Sequence, residues 1–456
     1  MFKEYNQNQL QLLPPDLSSI ITQDHIARLI SHAIDTMDLS FVENQYSSNG
    51  QHAYDPRMLL KILVYGYAIG LRGSRKLADR LKEDIVFMWL AGRQIPDFRT
   101  ISDFRKDKLL DFKNIFDFVL TTCFAIGMVR VGKVSLDGTK ILASASRNKA
   151  VYRTNLKKRR ELIHQKVEEI MKEVEAADEE EERLYGNATP HRIGKVFTKE
   201  EIAKAAKKIE QERKMLEKKR GILNAPEADI NKKERLMRHD RNSYASTDKD
   251  ATVMMMKEGY VAPGYNVQLA TEHQVILGYG IYSNRNDMRL LKPMMAEVKE
   301  RTKRTPEILI ADAGYGTKMN YRYLKHHTIS TYIPYQNYES ERILRNKGLY
   351  ESPKSPDREF ENYKFRTRLR LQSEEGRQFM KRRREDVEPV FGNLKRNMEF
   401  RRFNLREKRK CELELGLFSV AHNLKKIKNW IKKSVEWNEG RQKIQELGMV
   451  LGYIPA

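Results

Sequence analysis

The sequence predicts a mixed α/β fold: a strand-and-helix core preceded by an all-helical region and interrupted by a charged helical hairpin. Three observations lead there. Residues 17–130 are punctuated as short helices, and at VGKVSLDGTKILASAS the pattern switches to an apolar, β-branched strand. Strand patterns recur from TVMMMK to STYIPY, after which helical periodicity returns. Between the first strand and the others, dense charge with sparse apolar positions marks an insertion. The expected division is a helical, helix-turn-helix-like domain at 1–130, a core at 131–154 and 241–434, a hairpin at 155–240 and a tail at 435–456.

In order, HIARLISHAIDTM reads as a helix behind an Asp24 cap. MLLKILVYGYAIG follows with Asp55 as N-cap, Pro56 at the first position and Gly70 past the end. GSRKLADRLKED and DIVFMWLAG are short helices, IPDFRT is a turn, and one long helix should run from about Ile101 to Phe124. The module offers Arg72, Arg75, Lys76, Arg93, Arg99, Arg105 and Lys106 to DNA, or is a plain bundle with a solvated basic face. Asp137 sits where the first strand reaches a Gly-containing turn; an Asp before Gly is also an ordinary turn residue.

In the insertion, Ile163, Val167, Ile170 and Val174 step by four, three and four, a narrow coiled-coil-type seam. The acidic run DEEEE ends that helix near Gly186, and TKEE at 198–201 is a capping box for a second one carrying Ile202, Ala206, Ile209 and Leu216. Antiparallel strands are then expected in TVMMMK, GYNVQLAT and QVILGYGIYS, with GYVAPGY and TEHQ as turns. A helix opened by Asn286 or Asp287 runs to Arg301, and PEILIADAGYG makes an apolar strand ending at Asp312. TKMNYRYLKHH is a helix and STYIPY a strand; residues 337–375 read as polar and irregular. The last third holds a helix at 376–398 and then a longer one. In the latter Leu413, Leu417, Val420, Leu424, Ile427 and Ile431 form a core stripe with His422 as a structural neighbour.

Lys plus Arg exceed Asp plus Glu by 85 − 62 = 23, which points first to a nucleic-acid partner. Two cysteines, Cys123 and Cys411, exclude a disulfide scaffold and a Cys-built zinc site, and the ten histidines lack HExxH spacing. No signal-peptide pattern and no apolar run of about 20 residues occurs, so no membrane partner is expected and the expected location is the cytoplasm or nucleoid.

The helix KRRREDVEPVFGNLKRNMEFRRF brings one carboxylate into phase with two cations: Arg384, Glu388 and Lys395 fall within a sector of about 40°. Beside them runs the apolar stripe Val387, Val390, Phe391 and Leu394, and Pro389 with Gly392 should kink the helix. The same pattern suits an ordinary amphipathic helix with ion pairs. The order of elements adds information: a strand with Asp137, further strands, a helix, a strand ending in Asp312, then a helix bearing Glu388. That is the order of an RNase H-like core, in which three acids converge for Mg²⁺ or Mn²⁺.

With these blocks the sequence resembles the DDE transposases of bacterial insertion sequences, in the superfamily with a Tyr-Arg-Glu-Lys signature. The matching blocks are LDGTK with Asp137, ADAGYG with Asp312, and R-x3-E-x6-K with Arg384, Glu388 and Lys395. YDPRMLLKILVYGY, GSRKLADRL and PDFRTISDFR resemble the helical domain of one branch. The likeness spans most of the chain except the hairpin. Two departures stand out: Lys381 occupies the signature's tyrosine position, and no cysteine-rich insert follows Tyr335. The resemblance implies a metal-dependent enzyme using two Mg²⁺ or Mn²⁺ ions held by Asp137, Asp312 and Glu388. It would cleave DNA at the element's terminal inverted repeats and join the freed end to target DNA. Phosphate contacts are expected from Arg384, Lys395, Lys140, Arg75, Lys76, Arg99, Arg105 and Lys106, and a homodimer on double-stranded DNA is the expected working form. The alternatives are an RNase H-like nuclease without strand transfer and an inactive DNA-binding regulator.

Overall fold

The computed structural model describes residues 16–46, 52–185, 226–237, 241–351 and 357–436, with 207, 211, 214, 215 and 218 singly. The capping box at 198–201, the apolar positions after it and residues 437–456 of the expected tail lie outside these. The chain divides into two compact units, one of residues 1–144 with 254–456 and one of 145–253. The expected helical domain therefore shares a unit with the core, and the inserted unit is wider than 155–240.

The first unit begins with α1 (Leu17–Ile20), α2 (Ile26–Asp35), α3 (Ser40–Glu43), α4 (Pro56–Ala68), α5 (Ser74–Glu83), α6 (Ile85–Leu90), α7 (Phe98–Asp103) and α8 (Lys113–Ala125). Helix α4 starts and stops as its residues dictate: the Asp55 carboxylate accepts from Arg57 N, Pro56 takes the first position, and Gly70 adopts φ +82°. At α2 the cap is His25 rather than Asp24. Its Nδ1 accepts from Ala27 N at 3.2 Å, while Asp24 accepts from the Thr22 hydroxyl. The single long helix expected from Ile101 to Phe124 is interrupted, because a π-helical turn at Phe104–Lys108 buries Phe104 and Arg105 before α8 restarts at Lys113.

Strand β1 (Lys133–Leu142) leads out of this region. The second unit holds β2 (Ala150–Tyr152), α9 (Arg153–Tyr185), helical residues 226–235 (α10) and β3 (Ser243–Ala245). β2 and β3 pair antiparallel, with Tyr152 opposite Ser243. The core of this unit is Leu156, Ile163, Ile230, Met237 and Tyr244, flanked by Val151, Val167 and Leu236, so the seam's Ile163 and Val167 face inward.

The remaining elements are β4 (Thr252–Met255), β5 (Val261–Glu272), β6 (Val275–Tyr282), α11 (Leu291–Thr302), β7 (Ile308–Ala311), α12 (Lys318–His326), β8 (Ser330–Tyr332), α13 (Tyr338–Asn346), α14 (Arg358–Gln372), α15 (Glu374–Gly392) and α16 (Lys408–Glu436). The main sheet runs β4-β5-β1-β7-β8, with β6 also on β5. β1 pairs antiparallel with β5 and parallel with β7, making the sheet mixed. α13 and α14 occupy the stretch expected to be irregular. α13 buries no residue and α14 only Thr367 and Leu371, so neither leaves a strong apolar period. α16 buries all six residues of its predicted stripe and packs on β6, α4, α8 and α2.

Buried polar groups tie the sheet's rim together. Glu272, at the end of β5, accepts the backbone N–H groups of Arg130, Val131, Gly132 and Lys133 at 2.7 to 3.0 Å, fixing the entry to β1. The β5–β6 turn is two residues, His273 and Gln274, both at positive φ, as a tight hairpin requires. Gln274 then anchors two helices. Its Nε2 donates to Glu385 O at 2.7 Å, the carbonyl that Pro389 cannot serve for lack of an N–H, which lets α15 run through the proline. Its carbonyl accepts from His422 Nε2 at 2.8 Å, and burial lowers the imidazole's pKa to about 4, so His422 is neutral and structural.

Candidate active site

The parallel register of β1 and β7 ends at Leu136 opposite Ala311, so the next residues, Asp137 and Asp312, leave adjacent strands side by side. β1 does not turn at Asp137 as its Gly-containing sequence suggests. β5 pairs with it continuously from Ser135 to Leu142, and Gly138 is a strand residue. Its lack of a side chain is required there: a Cβ would lie 2.1 Å from Gln268 Nε2. Beyond Ala311 the chain tightens into a single 3-10 turn in which Asp312 Oδ1 accepts from Gly314 N at 2.9 Å.

The third acid arrives on α15. Arg383 lies in phase with Phe379, Val387, Val390 and Leu394, the buried face of that helix, and its guanidinium is inserted between two acids. Nη1 lies 3.4 Å from Asp137 Oδ2 and Nη2 3.1 Å from Glu388 Oε1. Asp137 and Glu388 are thus brought onto one cation, with Asp312 in electrostatic reach of Asp137. Burial raises the Asp137 pKa to about 6, against the lowering effect of Arg383 and with a further push from Asp312. Burial, then Asp287, raises that of Asp312. Lys395, on a π-helical turn at Asn393–Asn397, donates from Nζ to Thr139 Oγ1 at 2.6 Å; burial lowers its pKa.

Arg384 is placed differently from Lys395. It is exposed and lines a cavity of about 690 Å³ with Arg342, Arg377, Lys381 and Arg383, beside the Asp312 turn. The guanidinium touching the acids is that of Arg383, which sequence reasoning passed over; an arginine in phase with the apolar stripe was the available signal. Asp287 was expected, with Asn286, as a residue opening a helix. It does not cap a helix, since α11 begins at Leu291, and its side chain turns instead toward the sheet, accepting from Asn266 and Gln268.

The other expected DNA contacts divide. Arg105 is buried, donating to Tyr67 Oη, Arg72 O and Ser74 Oγ, so it serves the helical packing rather than an outer surface. Arg72 is similarly committed, to Glu414, Arg402 O and Glu399 O. Lys106 pairs with Asp103 at 2.6 Å, and Lys140 is half-buried on β1. Arg75, Lys76, Arg93 and Arg99 are exposed; Arg75 and Arg99 stack on the Phe98 ring, and Arg75, Lys76 and Arg80 line a second cavity, of about 620 Å³.

The donor set suits a hard divalent cation, being carboxylate oxygen throughout. The guanidinium of Arg383 lies between Asp137 and Glu388, with its Nε buried and unpartnered. Among the described residues no three acids, histidines or cysteines meet at ligating distance, the guanidinium lying between two of the acids. Likewise, no helix among them is long and apolar enough to cross a membrane.

Neither a curated protein nor a solved structure matches the chain. Two family models do: residues 15–107 match a transposase domain (DUF772) and residues 234–424 a transposase DDE domain. The second match contains Asp312 and Glu388 and begins after Asp137, which the inserted unit separates from the later strands. The mixed sheet is accordingly an RNase H-like core, and the chain belongs to the DDE transposases of insertion elements.

Proposed function

We propose that this transposase cleaves DNA at the ends of its element and transfers the freed strand into target DNA, with Asp137, Asp312 and Glu388 as its catalytic acids. The observation that carries the reading is the meeting of Asp137 and Glu388 on one guanidinium beside the Asp312 turn. In the first step water attacks the scissile phosphorus and the P–O3′ bond breaks, its oxygen leaving as a 3′-hydroxyl. In the second that hydroxyl attacks a target phosphodiester, forming a new P–O3′ bond and releasing a target 3′-hydroxyl. Transposases of this family generally depend on divalent metal. Mg²⁺ or Mn²⁺, held by Asp137, Asp312 and Glu388, would neutralise the phosphate and lower the pKa of the attacking water or hydroxyl.

The chain's own residues orient the strand. Lys395 beside Thr139, and the cations lining the cavity near Ala313, Arg384 among them, offer positive charge to phosphates flanking the cut. Exposed Arg75, Lys76 and Arg99 suit backbone contacts farther along the duplex. Two element ends call for two active sites, hence a homodimer on double-stranded DNA. The test incubates the protein with a duplex from its element's flanking repeat and a supercoiled plasmid in Mn²⁺. Covalently joined products are expected, and nicking without joining would reduce the activity to that of a nuclease.

A further inference from the structure

Asp287 stands outside the three acids. Its Oδ1 accepts from Asn266 Nδ2 and Gln268 Nε2, each at 2.7 Å. Gln268 is fully buried opposite Gly138; it also donates to Asn266 Oδ1 at 2.8 Å and accepts the Tyr315 hydroxyl, so the amides are fixed in orientation. The glycines beside the acids locate the carboxylate. A Cβ on Gly138 would lie 2.9 Å from Asp287 Oδ1, and a Cβ on Gly314 would lie 3.6 Å from Oδ2 and 3.0 Å from Asp312 Oδ1. Asp287 therefore stands between the residue after Asp137 and the turn of Asp312.

Two amide N–H groups on one oxygen hold the group as an acceptor and aim its second oxygen toward the Asp312 turn. Metal-binding carboxylates are commonly oriented by hydrogen bonds of this kind. Packing does not call for a carboxylate here, because an asparagine oxygen would accept the same amides. Among the described residues Asp287 has no ion pair. We infer that Asp287 is a fourth carboxylate of the site, a ligand to the divalent cation alongside Asp137 and Asp312. This rests on the metal-dependent reading above.

The test measures Mn²⁺ binding to the full chain without DNA, by calorimetry, for the wild type, Asp312→Asn and Asp287→Asn. Asparagine at 287 keeps the shape and the oxygen that the amides need. Mn²⁺ affinity should fall about 10- to 100-fold in Asp287→Asn, with the unfolding midpoint not lowered. In a second measurement, needing no variant, Fe²⁺ with ascorbate and peroxide should cut the wild-type backbone near 287 as well as near 137 and 312. If Asp312→Asn weakens Mn²⁺ binding while Asp287→Asn binds as the wild type does and no cut appears near 287, the inference falls and the three-acid reading stands. If the wild type binds no Mn²⁺, the metal-dependent reading fails and takes the inference with it.

Discussion

Asp137 is the least comfortable residue of the site, a carboxylate mostly buried beside other acids, with the Arg383 guanidinium and the Gly138 backbone N–H offsetting its burial only in part. Its pKa rises from 3.8 to about 6 on folding, so between those values the folded chain binds more protons than the unfolded chain. Stability falls as pH rises across that window and is level above it. Asp137→Asn removes the loss: the variant should be more stable than the wild type by about 2 to 3 kcal/mol near pH 7, an advantage that vanishes below about pH 4. Denaturant melts at the two pH values check this, and equal stability near pH 7 would mean that the carboxylate is not held against its charge. Removing the cation paired with it acts in the opposite sense: Arg383→Gln should move the stability loss to higher pH. At this scale the placement of Asp137 and Asp312 at adjacent strands and of Glu388 on a helix was legible, because residue type and order are written in the sequence. Arg383 was not, because a helical wheel sets it five residues from Glu388 and off its face. It is the burial of that face, with room for a long side chain to reach both acids, that selects it over Arg384.

Elements were legible where a local group decides them, as at Asp55, Pro56 and Gly70 around α4, and obscure where a distant one does. Asp287 is a good N-cap by type, yet the amides of Asn266 and Gln268 claim its side chain and α11 starts four residues later. Proline at 389 reads as a kink or restart, and a glutamine on the β5–β6 turn serves the orphaned carbonyl so that the helix runs on through it. The strongest such device is Glu272, whose two oxygens each accept two backbone N–H groups from residues 130–133 while the residue itself is nearly inaccessible. Glu272→Gln keeps its volume but turns an NH₂ group toward two N–H donors. The substitution should cost about 3 kcal/mol or more, since buried donors lose a charged acceptor and gain a like dipole. A thermal melt reads the loss, and an unchanged midpoint would show that the entry to β1 is held by its strand pairing alone.

At the scale of the whole molecule, the helical region looked separable because its punctuation is self-sufficient, and only the fold reveals that its partner comes from the other end of the chain. α16 packs on α2, α4 and α8, and Tyr67 meets Phe418 edge-on with ring centroids 4.8 Å apart. A fragment of residues 1–130 would expose that face, so it should lack a cooperative melt; a sharp transition by circular dichroism would count against this. The insertion is the opposite case. Its apolar seam closes on residues of its own unit, Leu156, Ile163, Ile230, Met237 and Tyr244, so little of the core in residues 1–144 and 254–456 is expected to depend on it. Its stem also supplies a place to cut. Tyr152 and Ser243 are directly opposed at the end of a two-stranded antiparallel ribbon, the position from which a two-residue turn can join strands. Replacing residues 153–242 by Asn-Gly should therefore leave a closed hairpin and shorten the connection between β1 and the later strands. Shortening a connection of this kind lowers the entropy lost on folding only modestly. The shortened chain should retain a single cooperative transition within a few degrees of the full chain's midpoint, as a small change in folding free energy requires. Loss of that transition would show that the charged hairpin supports the sheet it interrupts, and its role would have to be sought in folding as well as in any contact with DNA.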